Sequence, residues 1–457
     1  MILRASDGND APALLDDHGD DWLSHAELAV RVRETAERMA TLHPRPLVFQ
    51  FAANTIAAAT CYLASVEAGG AVALFGATLP PGRADELIAR YRPHLVLGHR
   101  PADAAYAKAA GLPLPAWLRQ AGDAPALHAD LAVLLSTSGS TGSPKLVRLS
   151  RAAITANAAA IIQALSITAT QRSVLNLPIP YSYGLSVLNS HLLAGASVLL
   201  TESGLVTPAF WQRLAAQRIT SMPGVPSVYE MLRRLKAETL FPATLNTLTQ
   251  AGGKLAEPLI AQFHQTMTAR QGRMFVMYGQ TEATARMAVL DSTALPAKLG
   301  AVGRAIPGGS FEIEGGQIVY HGANVMMGYA ETAEDLALGD MLGSRLETGD
   351  LGRLDADGML WITGRAKRIA KVNGQRLNLD EIEALVADRF ALGAATEADG
   401  KLVLLVQTDD RHATAIRRAM AEALALPPGS IAVLCVAHLP LGANGKPDRE
   451  ALKELVP

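Results

Sequence analysis

Residues 131–150 read LAVLLSTSGSTGSPKLVRLS. An apolar run enters a loop of small residues, and the chain leaves through Lys145 into an alternating run. Gly139 and Gly142 permit backbone conformations that turn N–H groups toward an anion. Thr137, Ser138, Ser140, Thr141 and Ser143 add hydroxyl donors, and Lys145 adds a positive charge. Those residue types in that order suit a phosphate. The Walker pattern Gly-x-x-x-x-Gly-Lys-Ser/Thr is absent. The residues after Lys145 alternate as a strand does, so the loop is expected to join two strands and not to open a helix.

The elements that must position this loop alternate along the chain. Helical spacing over 24–41 places Leu28, Val32, Ala36 and Met39 on one face. Leu47–Phe51, Ala71–Phe75 and Leu95–Leu97 are short apolar runs of the kind buried in parallel strands, with helices expected at 56–66 and 83–91. Residues 101–130, rich in Ala, Pro and Gly, read as connection. Near residue 360 the pattern changes. Phe311–Ile313, Gln317–Tyr320 and Gly358–Ile362 read as β with Gly turns. A compact β/α unit comes next: strands at 368–372, 402–406 and 431–436, and helices at 379–390 and 412–426. Asn378 and Glu381 could form a capping box, with Leu379, Ile382, Val386 and Phe390 on one face.

Composition sets limits on the rest. The 457 residues are 49% apolar and 18% charged, with a formal net charge of −2. A general nucleic-acid or anionic-membrane binder would carry a basic excess. Only Cys61 and Cys435 are present, too few for a disulfide framework, which suits a reducing compartment. The acidic N-terminus lacks a signal-peptide apolar core, and no run of about 18 apolar residues occurs. A cytoplasmic protein with no membrane or nucleic-acid partner is expected.

Further motifs come after the loop in order: Tyr278-Gly279-Gln280-Thr281-Glu282, Glu347-Thr348-Gly349-Asp350, Gly364-Arg365-Ala366-Lys367 and Asn444-Gly445-Lys446-Pro447-Asp448-Arg449. Together with the loop they resemble the adenylate-forming superfamily of acyl- and aryl-CoA synthetases, peptide-synthetase adenylation domains and luciferases. The resemblance spans residues 20–450. It implies an α/β fold: a large N-terminal domain of layered β-sheets with flanking helices, residues 1–363, and a small mobile C-terminal α+β domain, residues 364–457.

The implied chemistry has two steps. A carboxylate attacks the α-phosphorus of ATP, giving an acyl-adenylate and pyrophosphate, and a thiol of CoA or a carrier-protein phosphopantetheine then displaces AMP. Bringing an anion to an anionic phosphate calls for positive charge and Mg²⁺. By resemblance, Thr137, Ser138, Thr141 and Lys145, with Gly139, Ser140 and Gly142, would hold the β- and γ-phosphates. Thr281 would bond the α-phosphate and Glu282 would hold Mg²⁺. Tyr278 would stack on adenine beside Gly279, with Gly252-Gly253 approaching from the other side. Asp350 and Arg365 would take the ribose hydroxyls. Lys446 would be the catalytic lysine of adenylation. Lys367 sits at the hinge position, and Lys371 would face the site during thiolation. With Arg365 and Arg368 these lysines read as a basic cluster.

Residues 177–186, LPIPYSYGLS, resemble the segment lining the acyl pocket, with Tyr181, Ser182 and Gly184 as candidates. Many CoA ligases and aryl-acid-activating members of this superfamily carry His where Tyr181 stands. Members that activate α-amino acids usually carry Asp where Ser182 stands, because a buried ammonium needs a carboxylate partner. Neutral Ser182 therefore points to an aryl or aliphatic acid. The alternatives are a stand-alone amino-acid adenylating enzyme and, from another class, a non-catalytic nucleotide-binding scaffold.

Overall fold

The structure is a computed structural model that describes residues 9–120, 125–136, 145–372, 375–424, 426–441 and 447–456. It divides into two compact units, one of residues 1–310 with 320–346 and the other of 311–319 with 347–457. Among the described residues, no helix is long and apolar enough to cross a membrane.

The first unit is built on two large sheets. Leu47–Ala52 is buried along its whole length, as in a covered parallel strand, and its one polar residue, Gln50, is buried too and donates through Nε2 to the Ala58 carbonyl at 3.0 Å. It lies parallel to Ala71–Gly76 on one side and Leu95–Leu97 on the other. Ala71–Gly76 runs parallel to Leu131–Ser136, which pairs antiparallel with Leu146–Ser150. The run after the candidate phosphate loop is thus a strand, as expected, but it is buried continuously from Leu146 to Leu149 and not on alternate residues. Gly328–Ala330 closes that edge of an eight-stranded sheet. Phe49, Phe75 and Tyr91 pack together beneath it.

The second sheet has nine strands. Its centre runs Arg172–Leu175, Ser221–Gly224, Thr247–Gln250 and Arg273–Tyr278, all parallel, so the segments after each strand emerge at one edge. In open parallel sheets that carboxyl edge is where ligands bind.

The helix expected at 24–41 spans His25–Leu42. Ser24 caps it through a reciprocal capping box with Glu27. Residues 101–130 are more than connection. Tyr106–Ala109 and Ala116–Arg119 pair antiparallel at the sheet edge, with Tyr106 and Ala116 buried. Their strands are short, and Ala, Pro and Gly around them hide the alternation.

In the second unit, strands Gly393–Ala398, Lys401–Gln407 and Ile431–Val436 form one sheet. The helices Leu379–Arg389 and Ala413–Ala423 pack on it through Ile382, Val386, Ile416 and Met420. Phe390 does not join Leu379, Ile382 and Val386: the helix ends at Arg389 and Phe390 is 39% exposed. The side chain of Asn378, the expected cap, lies outside the described ones. A four-stranded sheet takes the order Gly309–Glu314, Gln317–Gly322, Arg345–Leu354, Leu360–Arg365.

Candidate active site

The strands Leu131–Ser136 and Leu146–Ser150 meet at Ser136↔Leu146, so the phosphate loop is the connection of an antiparallel pair. Thr137, Ser138, Gly139, Ser140, Thr141 and Gly142 lie outside the described residues. Lys145, at the loop's exit, has its ammonium 3.6 Å from the centroid of the Tyr329 ring. The Tyr329 hydroxyl donates to Glu282 Oε1 at 2.8 Å. Lys145 and Glu282, predicted separately, are thus joined through a tyrosine that sequence reasoning missed. Arg148 fixes that tyrosine's backbone. It is fully buried and donates to the carbonyls of Met327, Tyr329, Leu338 and Gly339.

The Thr281-Glu282 segment is a tight turn leaving the strand Arg273–Tyr278. Gly279 has no room for a side chain: a Cβ would stand 1.7 Å from the Ala285 carbonyl oxygen. Thr284 and Ala285 both take positive φ, 54° and 98°, a conformation that costs a non-glycine residue roughly 1–2 kcal/mol. Asn324 holds the turn in that shape. Its Nδ2 donates to Ala283 O at 2.8 Å and Arg286 O at 2.9 Å, and its carbonyl accepts from Thr284 Oγ1 at 2.6 Å. Met326 N donates to Glu282 O at 2.8 Å. The backbone carrying Glu282 is therefore set before any ligand arrives.

The acyl-pocket segment meets this turn. Ser182 Oγ lies 3.1 Å from Thr281 Oγ1. Ser182 opens the helix Ser182–Ala194, whose third residue, Gly184, presses on the preceding chain; a Cβ there would fall 2.3 Å from Pro178 O. His191, which the sequence assigns no role, is buried in that helix.

Tyr181 faces Gly252. A Cβ on Gly252 would come 2.4 Å from Tyr181 Oη. Gly252 and Gly253 follow the strand Thr247–Gln250, and Gly253 O accepts from Gln250 Nε2 at 2.8 Å. Tyr278 ends the neighbouring parallel strand, so the adenine candidates emerge side by side at the carboxyl edge. Tyr181 lies within the field of Arg286, yet burial dominates and raises its pKa.

In the second unit, Asp350 and Arg365 are cross-strand partners, with Arg365 Nε 3.2 Å from Asp350 Oδ1. Asp350 is buried beneath its exposed partner, and its amide donates to Thr348 Oγ1 at 3.1 Å. Arg368 does not belong to a solvated basic cluster. It bonds Asp380 at 3.0 Å, Glu383 at 2.5 Å and Ala395 O at 3.0 Å, which ties the helix Leu379–Arg389 to the sheet. The side chains of Lys367 and Lys371 lie outside the described ones, as does Lys446. Leu441 and Pro447 pair across the Lys446 loop.

Residues 3–330 match the family model of the AMP-binding enzymes. The chain belongs to this family. Among its relatives, the indoleacetate–CoA ligase of Aromatoleum aromaticum is 27% identical over 346 residues, 70% of this chain and 66% of that protein. A feruloyl-CoA synthase from Streptomyces is 28% identical over 401 residues, 80% of this chain and 78% of that protein. The alignment with the indoleacetate ligase thus spans about two thirds of its length. Two solved structures share the fold along nearly all of both chains. ATP-bound MatB of Rhodopseudomonas palustris has a TM-score of 0.79 at 24% identity, covering 99% of this chain and 97% of its own. The o-succinylbenzoate CoA synthetase of Bacillus subtilis with its acyl-adenylate has 0.77 at 20%, covering 98% and 96%.

Among the described residues, no cluster of three or more His, Cys, Asp or Glu forms a protein metal cage. One carboxylate beside phosphate-binding groups is still the donor set Mg²⁺ uses with nucleotides, where it keeps waters and phosphate oxygens as its other ligands. Glu282, oriented by Tyr329, fits that role.

Proposed function

We propose that this AMP-binding family member activates a carboxylic acid as its acyl-adenylate and passes the acyl group to a thiol, that of CoA or of a carrier-protein phosphopantetheine. The observation that carries the reading is the 3.1 Å contact between Ser182 and Thr281, which brings the acyl segment against the turn bearing Glu282. An acid carboxylate held beside Ser182 would lie next to the hydroxyl assigned to the α-phosphate.

In this reading the loop 137–142 and Lys145 grip the β- and γ-phosphates. Thr281 orients the α-phosphate toward the acid oxygen. Glu282 would hold Mg²⁺, which when bound offsets phosphate charge. Tyr278 and Gly252-Gly253 flank adenine. Asp350 accepts from the ribose hydroxyls and Arg365 stands beside it. Lys446 supplies charge to the pentacoordinate phosphorus, where a preorganised donor lowers the barrier most. The small domain, residues 364–457, pivots at Lys367 and replaces Lys446 with Lys371 for thiolation. Tyr181 gates the carboxylate.

The resemblance, the family match and the CoA-ligase relatives support this reading. Neutral Ser182 disfavours the amino-acid alternative. The test is ATP–pyrophosphate exchange across a panel of aryl, aliphatic and amino acids, followed by thioester formation with CoA or pantetheine. Exchange with a deamino acid over its amino counterpart supports it. Exchange with amino acids alone favours the adenylation-domain alternative, and none with any acid favours the scaffold.

A further inference from the structure

Tyr183, the residue after Ser182, lines a largely apolar pocket of the first unit that carries a few polar groups and that the proposed reaction does not use. Tyr183 and His191 line it from the helix Ser182–Ala194, Ser221 and Thr249 from the central strands, and Arg286 from beyond the Glu282 turn. The pocket has room for a small polar group.

Its walls hold three partnerless buried polar atoms. Ser221 Oγ, His191 Nε2 and Arg286 Nε have no hydrogen-bond partner among the described residues. His191 Nδ1 lies 2.9 Å from the Val187 carbonyl oxygen and must donate to it, so Nε2 is left as a bare acceptor. Burial holds that ring neutral, with its pKa pushed down to about 4.

Arg286 is the decisive residue. It is 2% exposed and no carboxylate pairs with it among the described residues. Its guanidinium carbon stands 4.8 Å from the centroid of the Tyr183 ring, and the Tyr183 hydroxyl is itself held by Thr249 at 2.8 Å. Two asparagines, Asn157 and Asn324, each donate to the Arg286 carbonyl at 2.9 Å, so its backbone is fixed. Arginine stays charged in proteins. Buried Arg148 is satisfied by four backbone carbonyls, whereas Arg286 Nε has no acceptor among the described residues; a buried charge left short of acceptors is strongly unfavourable, which leaves room for an anion from outside.

We propose that the acid activated by this enzyme carries a second carboxylate, remote from the one adenylated, and that Arg286 is the counter-ion for it. This rests on the acid-activation reading above and names its substrate class. Arg286 follows Glu282 by four residues in one anchored turn, so a single segment would carry both the Mg²⁺ candidate and the counter-ion of the remote carboxylate. Ser221 can donate to the remote carboxylate. His191 Nε2, an acceptor, suits a hydroxyl or water beside it. The same guanidinium would repel a substrate ammonium.

The test compares diacids with their mono-methyl esters, glutarate, pimelate and terephthalate each against its half-ester, by pyrophosphate exchange. The wild-type enzyme should favour at least one diacid by about 100-fold in kcat/KM, a difference of about 2.7 kcal/mol. Arg286→Gln should collapse that ratio, and Arg286→Lys should keep part of it. Half-esters preferred in every pair, or a ratio unchanged in Arg286→Gln, would overturn the proposal while leaving acid activation intact. Thermal shift by the diacids is the second readout. If no acid supports exchange but a diacid raises Tm in wild type and not in Arg286→Gln, the anion site stands and the activation reading falls. No exchange and no shift overturns both.

Discussion

Gly252→Ala measures how closely the candidate adenine turn is built against Tyr181, the proposed gate. The added Cβ meets Tyr181 Oη at 2.4 Å and Val225 Cγ1 at 3.0 Å, while the backbone stands at φ +85°. Two costs arise. A non-glycine residue at this φ loses roughly 1–2 kcal/mol. Overpacking against a half-buried tyrosine adds roughly 1–3 kcal/mol. The sum, about 2–5 kcal/mol, should lower Tm of the first unit by several degrees. Tyr181→Phe separates the two. It deletes the colliding oxygen and leaves the ring carbon at 3.6 Å, an ordinary contact. The double variant should therefore recover the steric part and keep the conformational part, giving a coupling of about 1–3 kcal/mol in a double-mutant cycle. The assays are thermal unfolding and pyrophosphate exchange for all four proteins. Exchange should fall in Gly252→Ala through a raised KM for the acid, since the displaced ring is the proposed gate, and should return in part with Tyr181→Phe. If Gly252→Ala unfolds at the wild-type temperature, or if Tyr181→Phe gives no relief, the packing of Tyr181 on Gly252 is not what the distances state.

Tyr329→Phe removes the donor to Glu282 while leaving the ring beneath Lys145. Hydrogen bonds to charged groups contribute about 1.5–3 kcal/mol, so adenylation should fall about 10–100-fold with a higher Mg²⁺ requirement, and Tyr329→Leu should fall further. Lys446→Ala should cost adenylation about 10²–10³, with ATP binding and thioester formation from supplied acyl-adenylate largely retained; equal loss in both half-reactions would contradict its role. His94 and His191 are held neutral by burial, each with its pKa lowered from 6.5 to about 4. The unfolded chain then binds protons first, so stability present above pH 6.5 declines toward pH 4, by at most about 1.4 kcal/mol per pH unit for each ring. Tm measured from pH 7 to 4.5 should show this fall, and His191→Gln should make it shallower.

What the sequence determines by itself is local. Ala71–Phe75 reads as a strand because a buried parallel strand is apolar along its length, and Leu47–Phe51 reads the same way with one polar residue, Gln50, which the fold buries. The run through Leu146–Leu149 reads as a strand, and that fixed the phosphate loop as a connection between strands. The loop, the Thr-Glu turn and the Asp350 motif are each contiguous residues, so they can be singled out as candidates in one line of text.

Tertiary structure decided the charges. Arg148 sits in the strand Leu146–Ser150 and Arg286 in the run Ala285–Leu290, and local spacing gives neither away. Arg148 is satisfied by four carbonyls from residues 327–339, far along the chain, and the Arg286 Nε by none among the described residues. The same holds for Tyr329, which links Lys145 to Glu282 although all three lie far apart in the chain. Whether a charged or phenolic side chain is solvated, paired or poised for a ligand depends on which distant backbone closes over it. That is a property of the packed sheets, which no window of sequence contains.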